Sequence, residues 1–151
     1  MANKPVTTKG GLLRVMLGSG SGAIVYAAPC GLSSKALTLT KGLEEFSLGD
    51  CDEPTAIEWL GRDAVSLSMA ATGEGVLAEQ SVEAWLDAWE SPDSIPTKVE
   101  LEFPIKTYTW TGFMHVETVE VGAPSNTGRV TGNFSLQSDG EMTRTSAATA
   151  P

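Results

Sequence analysis

Lys98-Val-Glu-Leu-Glu-Phe103 and Tyr108-Thr-Trp-Thr-Gly-Phe-Met-His-Val-Glu-Thr-Val-Glu-Val121 are the stretches on which the fold turns. In the first, Val99, Leu101 and Phe103 alternate with Lys98, Glu100 and Glu102. Successive side chains of a strand point to opposite faces, so this is a half-buried strand. In the second, Tyr108, Trp110 and Met114 share one parity, whereas Val119 and Val121 share the other. A bulge or sharp bend between Gly112 and Glu117 is expected to reconcile the two phases.

The same period recurs on both sides. Leu12–Leu17 and Ile24–Ala28 read as two short strands around Gly18-Ser-Gly-Ser-Gly22, whose glycines suit a hairpin turn. Leu37 and Leu39 alternate with Ala36, Thr38 and Thr40, and Glu44, Phe46 and Leu48 are also in phase. Val65, Leu67 and Met69 make another strand, and Val130, Phe134 and Leu136 the last. Residues 79–90 alone follow a helical period: Val82, Trp85, Leu86 and Trp89 form one apolar stripe and are the expected packing core of that helix. Ser81 is the expected cap, and Ser91-Pro92 the stop. Seven or eight strands and one helix imply a mainly β protein, a β-sandwich or barrel with one flanking α-helix.

The chain has 151 residues, enough for one domain with a real core, so 1–151 is read as a single domain. Hydrophobic content of 41% and a mean hydropathy of -0.03 suit a soluble globular chain. Residues 1–11 read as a polar N-terminal arm and 141–151 as a C-terminal arm. Residues 49–61 have no period of their own, and a loop of that length is usually functional. Its start is acidic (Asp50, Asp52, Glu53) and its end apolar (Ile57, Trp59, Leu60), which calls for a partner surface. Cys30 and Cys51 are too few for a disulfide scaffold. They are expected as reduced thiols, with a disulfide between them left open. The polar opening and the short Leu12–Leu17 run, with Arg14 inside it, do not resemble a secretory leader, and no run is long enough for a membrane span.

The search for chemistry leaves little. His115 is the one histidine and sits in a threonine-rich strand without a nucleophile motif. Cys30, Cys51 and His115 lack the spacing of zinc ligands. Gly18–Gly22 lacks the Gly-Lys-Ser/Thr ending of a phosphate loop. Asp50, Asp52 and Glu53 do not match a calcium loop, and Pro54 follows at once. No cofactor, metal or catalytic residue is expected. The net charge of -9 repels nucleic acid and anionic membrane alike.

In four stretches, taken in order, the chain resembles the major tail-tube proteins of long-tailed phages and gene transfer agents. They are Asp50-Cys-Asp-Glu-Pro54, Ala64-Val-Ser-Leu-Ser-Met-Ala-Ala-Thr-Gly-Glu-Gly-Val-Leu-Ala78, Val82-Glu-Ala-Trp-Leu-Asp-Ala-Trp89 and Ser138-Asp-Gly-Glu-Met-Thr-Arg144. Met142 departs from the pattern, where an aromatic residue is expected. The resemblance implies a non-enzymatic virion protein, assembled in the host bacterial cytoplasm into hexameric rings, each subunit giving four strands to an inner barrel. It implies stacking of rings through the 49–61 loop (Asp50, Asp52, Glu53, Ile57, Trp59, Leu60), with contacts from an N-terminal arm (Lys4, Pro5, Val6) and a C-terminal arm (Met142, Arg144). Implied partners are further copies, a tape measure, a terminator, distal tail or baseplate proteins, and double-stranded DNA that passes without specific binding. Twenty-four strands about 4.8 Å apart and tilted about 40° close into a circle roughly 48 Å across, wide enough for a duplex. Alternatives are another tail ring protein, a terminator or baseplate component, and, from a different class, a carbohydrate-binding β-sandwich.

Overall fold

The computed structural model describes residues 5–9, 12–19, 23–27 and 31–149. Lys4 and Cys30 lie outside the described residues, as do Gly20–Gly22. Among those described there are eight strands and one helix: β1 (Leu13–Ser19), β2 (Val25–Ala27), β3 (Leu32–Ser47), β4 (Leu60–Val76), α1 (Glu79–Glu90), β5 (Ile95–Glu102), β6 (Lys106–Gly122), β7 (Thr131–Ser138) and β8 (Thr143–Ala148). The sheet order is β2-β1-β5-β6-β7-β4-β3, with β8 also on β6, and every pair is antiparallel. No helix among the described residues is long and apolar enough to cross a membrane.

Two long hairpins organise this sheet. One is β3–β4, in register from Leu32↔Gly75 to Ser47↔Leu60. The other is β6 with β7 and β8, which follow one another along the same edge of β6. Between β7 and β8 the chain crosses over β6, with Gly140 at φ 84 and Asp139 N–H donating to Phe113 O at 2.8 Å. The phase change in β6 is taken up by a bulge at Glu117, between the pairs Val116↔Leu136 and Thr118↔Ser135.

The core collects one face of most strands: Val15 and Leu17, Val99, Met114 and Val116, Phe134 and Leu136, Met69 and Ala71. Trp85 of α1 closes it, stacked on Phe134 with ring centroids 4.1 Å apart.

Four expectations need correction. Ser81 does not cap α1: the N-cap is Ala78, and the Ser81 hydroxyl donates back to Ala78 O at 3.1 Å from inside the first turn. The helix stripe is not uniformly core. Trp85 is buried and Val82 half-buried, but Leu86 and Trp89 are 40% and 53% exposed. The helix docks along Ser81, Trp85 and Ala88, a face rotated away from Leu86 and Trp89. Leu60 and Gly61 are not loop but the start of β4, because the ladder continues from Phe46 and Ser47. Finally, the C-terminal segment is no free arm. Thr143–Ala148 is β8, paired with β6 from Lys106↔Ala148 to Thr111↔Thr143. Its threonines and alanines carry no apolar alternation; the open backbone edge of β6 recruits them.

Candidate functional site

Three surfaces stand out, each set by the pairing above. The first is the outer face of the sheet β3-β4-β7-β6. Register places Ser34, Glu74, Asn133 and Glu120 in one row across the four strands. The next rows are Ala36, Thr72, Ser135, Thr118 and Thr38, Ala70, Gln137, His115. On the hairpin alone the same face continues as Thr40–Ser68, Gly42–Ser66 and Glu44–Asp63. These rows hold four carboxylates and no Lys or Arg. The opposite face, row by row, is the core: Leu37, Ala71, Leu136, Val116 is one such row. One side of this sheet is thus apolar and covered, and the other small, polar and acidic. His115 lies on the acidic face, 3.5 Å from Asp139. Sequence alternation identified the polar residues of each strand separately; that they form one face needed the register.

The second surface is a pair of strand edges. β3 has no partner on its outer side among the described residues, over 16 residues without proline. At the other side, β5 pairs β6 only up to Ile95↔Met114, so residues 115–122 of β6 have no strand beside them opposite β7. Unpaired edges of such length expose rows of N–H and C=O groups and invite pairing with another chain.

The third surface is the 48–59 loop at the tip of β3–β4. β4 leaves β7 at Ala70↔Gln137, so residues 60–69 carry the loop beyond the four-stranded part. At about 3.3 Å per residue the projection is roughly 30 Å. Asp50 Oδ1 accepts the N–H groups of Asp52 and Glu53 at 2.8 and 3.3 Å, which shapes the turn. Beyond it Ile57 and Trp59 are 95% and 93% exposed. Leu60 is half-exposed on β4. Below the tip, β3–β4 and β6–β8 diverge into an open groove of about 980 Å³, where Leu39, Leu67, Trp110 and Met142 face one another.

The other expected contact residues are scattered. Pro5 and Val6 are exposed in an irregular segment. Met142 packs against the core, above Gly112, and Arg144 is exposed on β8 opposite Trp110. Among the described residues no three His, Cys, Asp or Glu side chains converge as metal ligands.

Comparison with known proteins adds an independent line. The family model described as phage tail tube protein matches residues 6–144. No curated protein matches the chain. Among solved structures, a chain from the tail of an empty gene transfer agent particle, refined helically with C6 symmetry, superposes with a TM-score of 0.72 at 17% identity, covering 92% of this chain and 99% of that one. A chain of the native gene transfer agent virion gives 0.70 at 14% identity, again covering 92% and 99%. The SPP1 tail tube gives 0.59 at 14% identity, covering 97% of this chain and 81% of that one. At these identities the likeness is one of fold.

Proposed function

The chain belongs to the phage tail tube protein family, and from that premise we propose that it closes into hexameric rings through its two free strand edges, the rings stacking into an acidic conduit for double-stranded DNA. It is a structural protein of the virion tail.

The observation that carries the reading is the sheet β3-β4-β7-β6, with a free edge on each side and an acidic, uncovered face. Its four strands alternate in direction, so β3 and β6 run opposite ways. A copy related by simple rotation therefore brings its β3 antiparallel to the first copy's β6, with no flip. An even strand number per subunit is what makes such closure possible. Six copies then contribute 24 strands, the number whose circle admits a duplex.

In that ring the apolar face turns outward to the core, and the acidic face lines the lumen. Glu74 and Glu120 recur in one circumferential row, and Glu44 and Asp63 in another. Repulsion from these carboxylates keeps phosphates off the wall, so DNA slides instead of binding. The uniformly short side chains between them leave the bore smooth. The tape measure would occupy the same lumen before DNA, and terminator and distal tail proteins would meet the two ends of the stack.

The test has two parts. Purified protein with the tail's initiator should form stacked rings or tubes by negative-stain microscopy; a protein that stays monomeric overturns the reading. Replacing Glu44, Asp63, Glu74 and Glu120 by lysine should leave tubes of normal diameter but lower DNA transfer at least tenfold. Unchanged transfer by such tubes removes the conduit role of this face.

A further inference from the structure

The two ends of the β3-β4-β7-β6 sheet are chemically unlike. One is the 48–59 loop, with Asp50, Asp52, Glu53 and Glu58, no Lys or Arg, and the bare side chains of Ile57 and Trp59. The other is the connection from β6 to β7, Ala123-Pro-Ser-Asn-Thr-Gly-Arg-Val130, in which Arg129 is the one charged residue. Val76 pairs with Thr131 and Gly122 with Thr131, so this connection sits at the end of β4 remote from the 48–59 loop. Arg129 is exposed and forms no ion pair with any described residue. Beside it Val121 and Val130 are 57% and 42% exposed. The Ser125 hydroxyl accepts the Gly128 N–H at 2.9 Å and holds the connection as a compact turn.

β4 is 17 residues long, so the two ends lie roughly 55 Å apart and cannot meet within one chain. We propose that the 48–59 loop of one copy seats on the 121–130 end of the next copy along the tube, with Ile57 and Trp59 against Val121 and Val130 and the loop carboxylates around Arg129. The proposal rests on the tube reading and adds the acceptor surface and the direction of growth. Both apolar sets lose water in the same contact, which is the driving term. The charges decide orientation. Tip against tip would set four carboxylates on four, and base against base would oppose Arg129 to its own copy; only tip on base brings opposite signs together. A contact between unlike surfaces is heterologous and repeats without closing, so every ring presents the same acceptor to the next.

Cys51, an exposed thiol in the loop, makes the contact directly readable. Asn126→Cys, in a chain also carrying Cys30→Ser, places a second thiol on the proposed acceptor turn. Assembled tubes treated with diamide should yield a covalent ladder extending past six copies. A ladder that stops at six places the contact between neighbours within a ring and overturns the proposal. Tubes that form without any ladder overturn it too, while leaving the tube reading intact; absence of tubes from the unaltered protein overturns both. Independently, Arg129→Glu should lower polymer yield at least tenfold with unchanged far-UV circular dichroism, and Asp52→Arg, Glu53→Arg or Glu58→Arg in the same chain should regain it. Full-length tubes from Arg129→Glu, or no recovery by any of the three, overturn the charge pairing.

Discussion

Trp85 shows how much a single side chain is asked to do. It is 1% exposed, lies flat on Phe134 and closes the core at the point where the sheet alone leaves it open. Its indole Nε1 is buried without a hydrogen-bond partner, a desolvation cost that its packing outweighs. Trp85→Ala is therefore expected to destabilise the free subunit by about 3–5 kcal/mol. Leu86→Ala, one position on and 40% exposed, is expected to cost under about 1 kcal/mol. Urea unfolding of both variants checks the pair. The helical spacing of Val82, Trp85, Leu86 and Trp89 was legible in the sequence. Which of them is buried was not, because a stripe this wide can dock on either shoulder, and the position of Phe134 selects one.

At the scale of elements, the β3–β4 hairpin bears a cost that the isolated fold does not explain. Glu44 and Asp63 face each other directly, and like charges in that position destabilise a strand pair. Glu44→Gln is expected to stabilise the monomer by about 0.2–1 kcal/mol, read as a higher urea midpoint. Such a pair makes sense in a hairpin shaped for a lumen. β8 raises the opposite question. Its sequence reads as a polar tail, yet Thr149 donates its hydroxyl to Phe103 O and Thr107 and Thr149 hydroxyls lie 2.9 Å apart. Ending the chain after Met142 should bare the β6 edge at Lys106–Thr111, and light scattering should then show aggregation at concentrations where the full chain stays dispersed.

For the whole molecule, the ring reading predicts where assembly changes the backbone. Outward-facing amides of β3 have no strand partner in the free subunit. In tubes they should exchange with deuterium at least a hundredfold more slowly, together with those of β6 between residues 115 and 122. Amides of β5, paired on both sides already, should change little. Equal slowing everywhere would point to global stabilisation without edge pairing.

The sequence by itself determined the kinds of element, the one helix with its limits at 79 and 90, the bulge region of β6, the acidic balance and the long loop with its apolar end. Those properties are local: side-chain periods of 2 and 3.6 residues, and charge, are written along the chain without reference to distant partners. The tertiary structure alone decided which strands lie side by side. That placed Glu74, Asn133 and Glu120 in one row and turned the C-terminal segment into β8. It also left β3 and half of β6 without neighbours, and set Arg129 at the end of the sheet opposite the loop. Strand pairing depends on backbone groups common to every residue, and its choice among partners is settled by long-range packing that no short window of sequence contains.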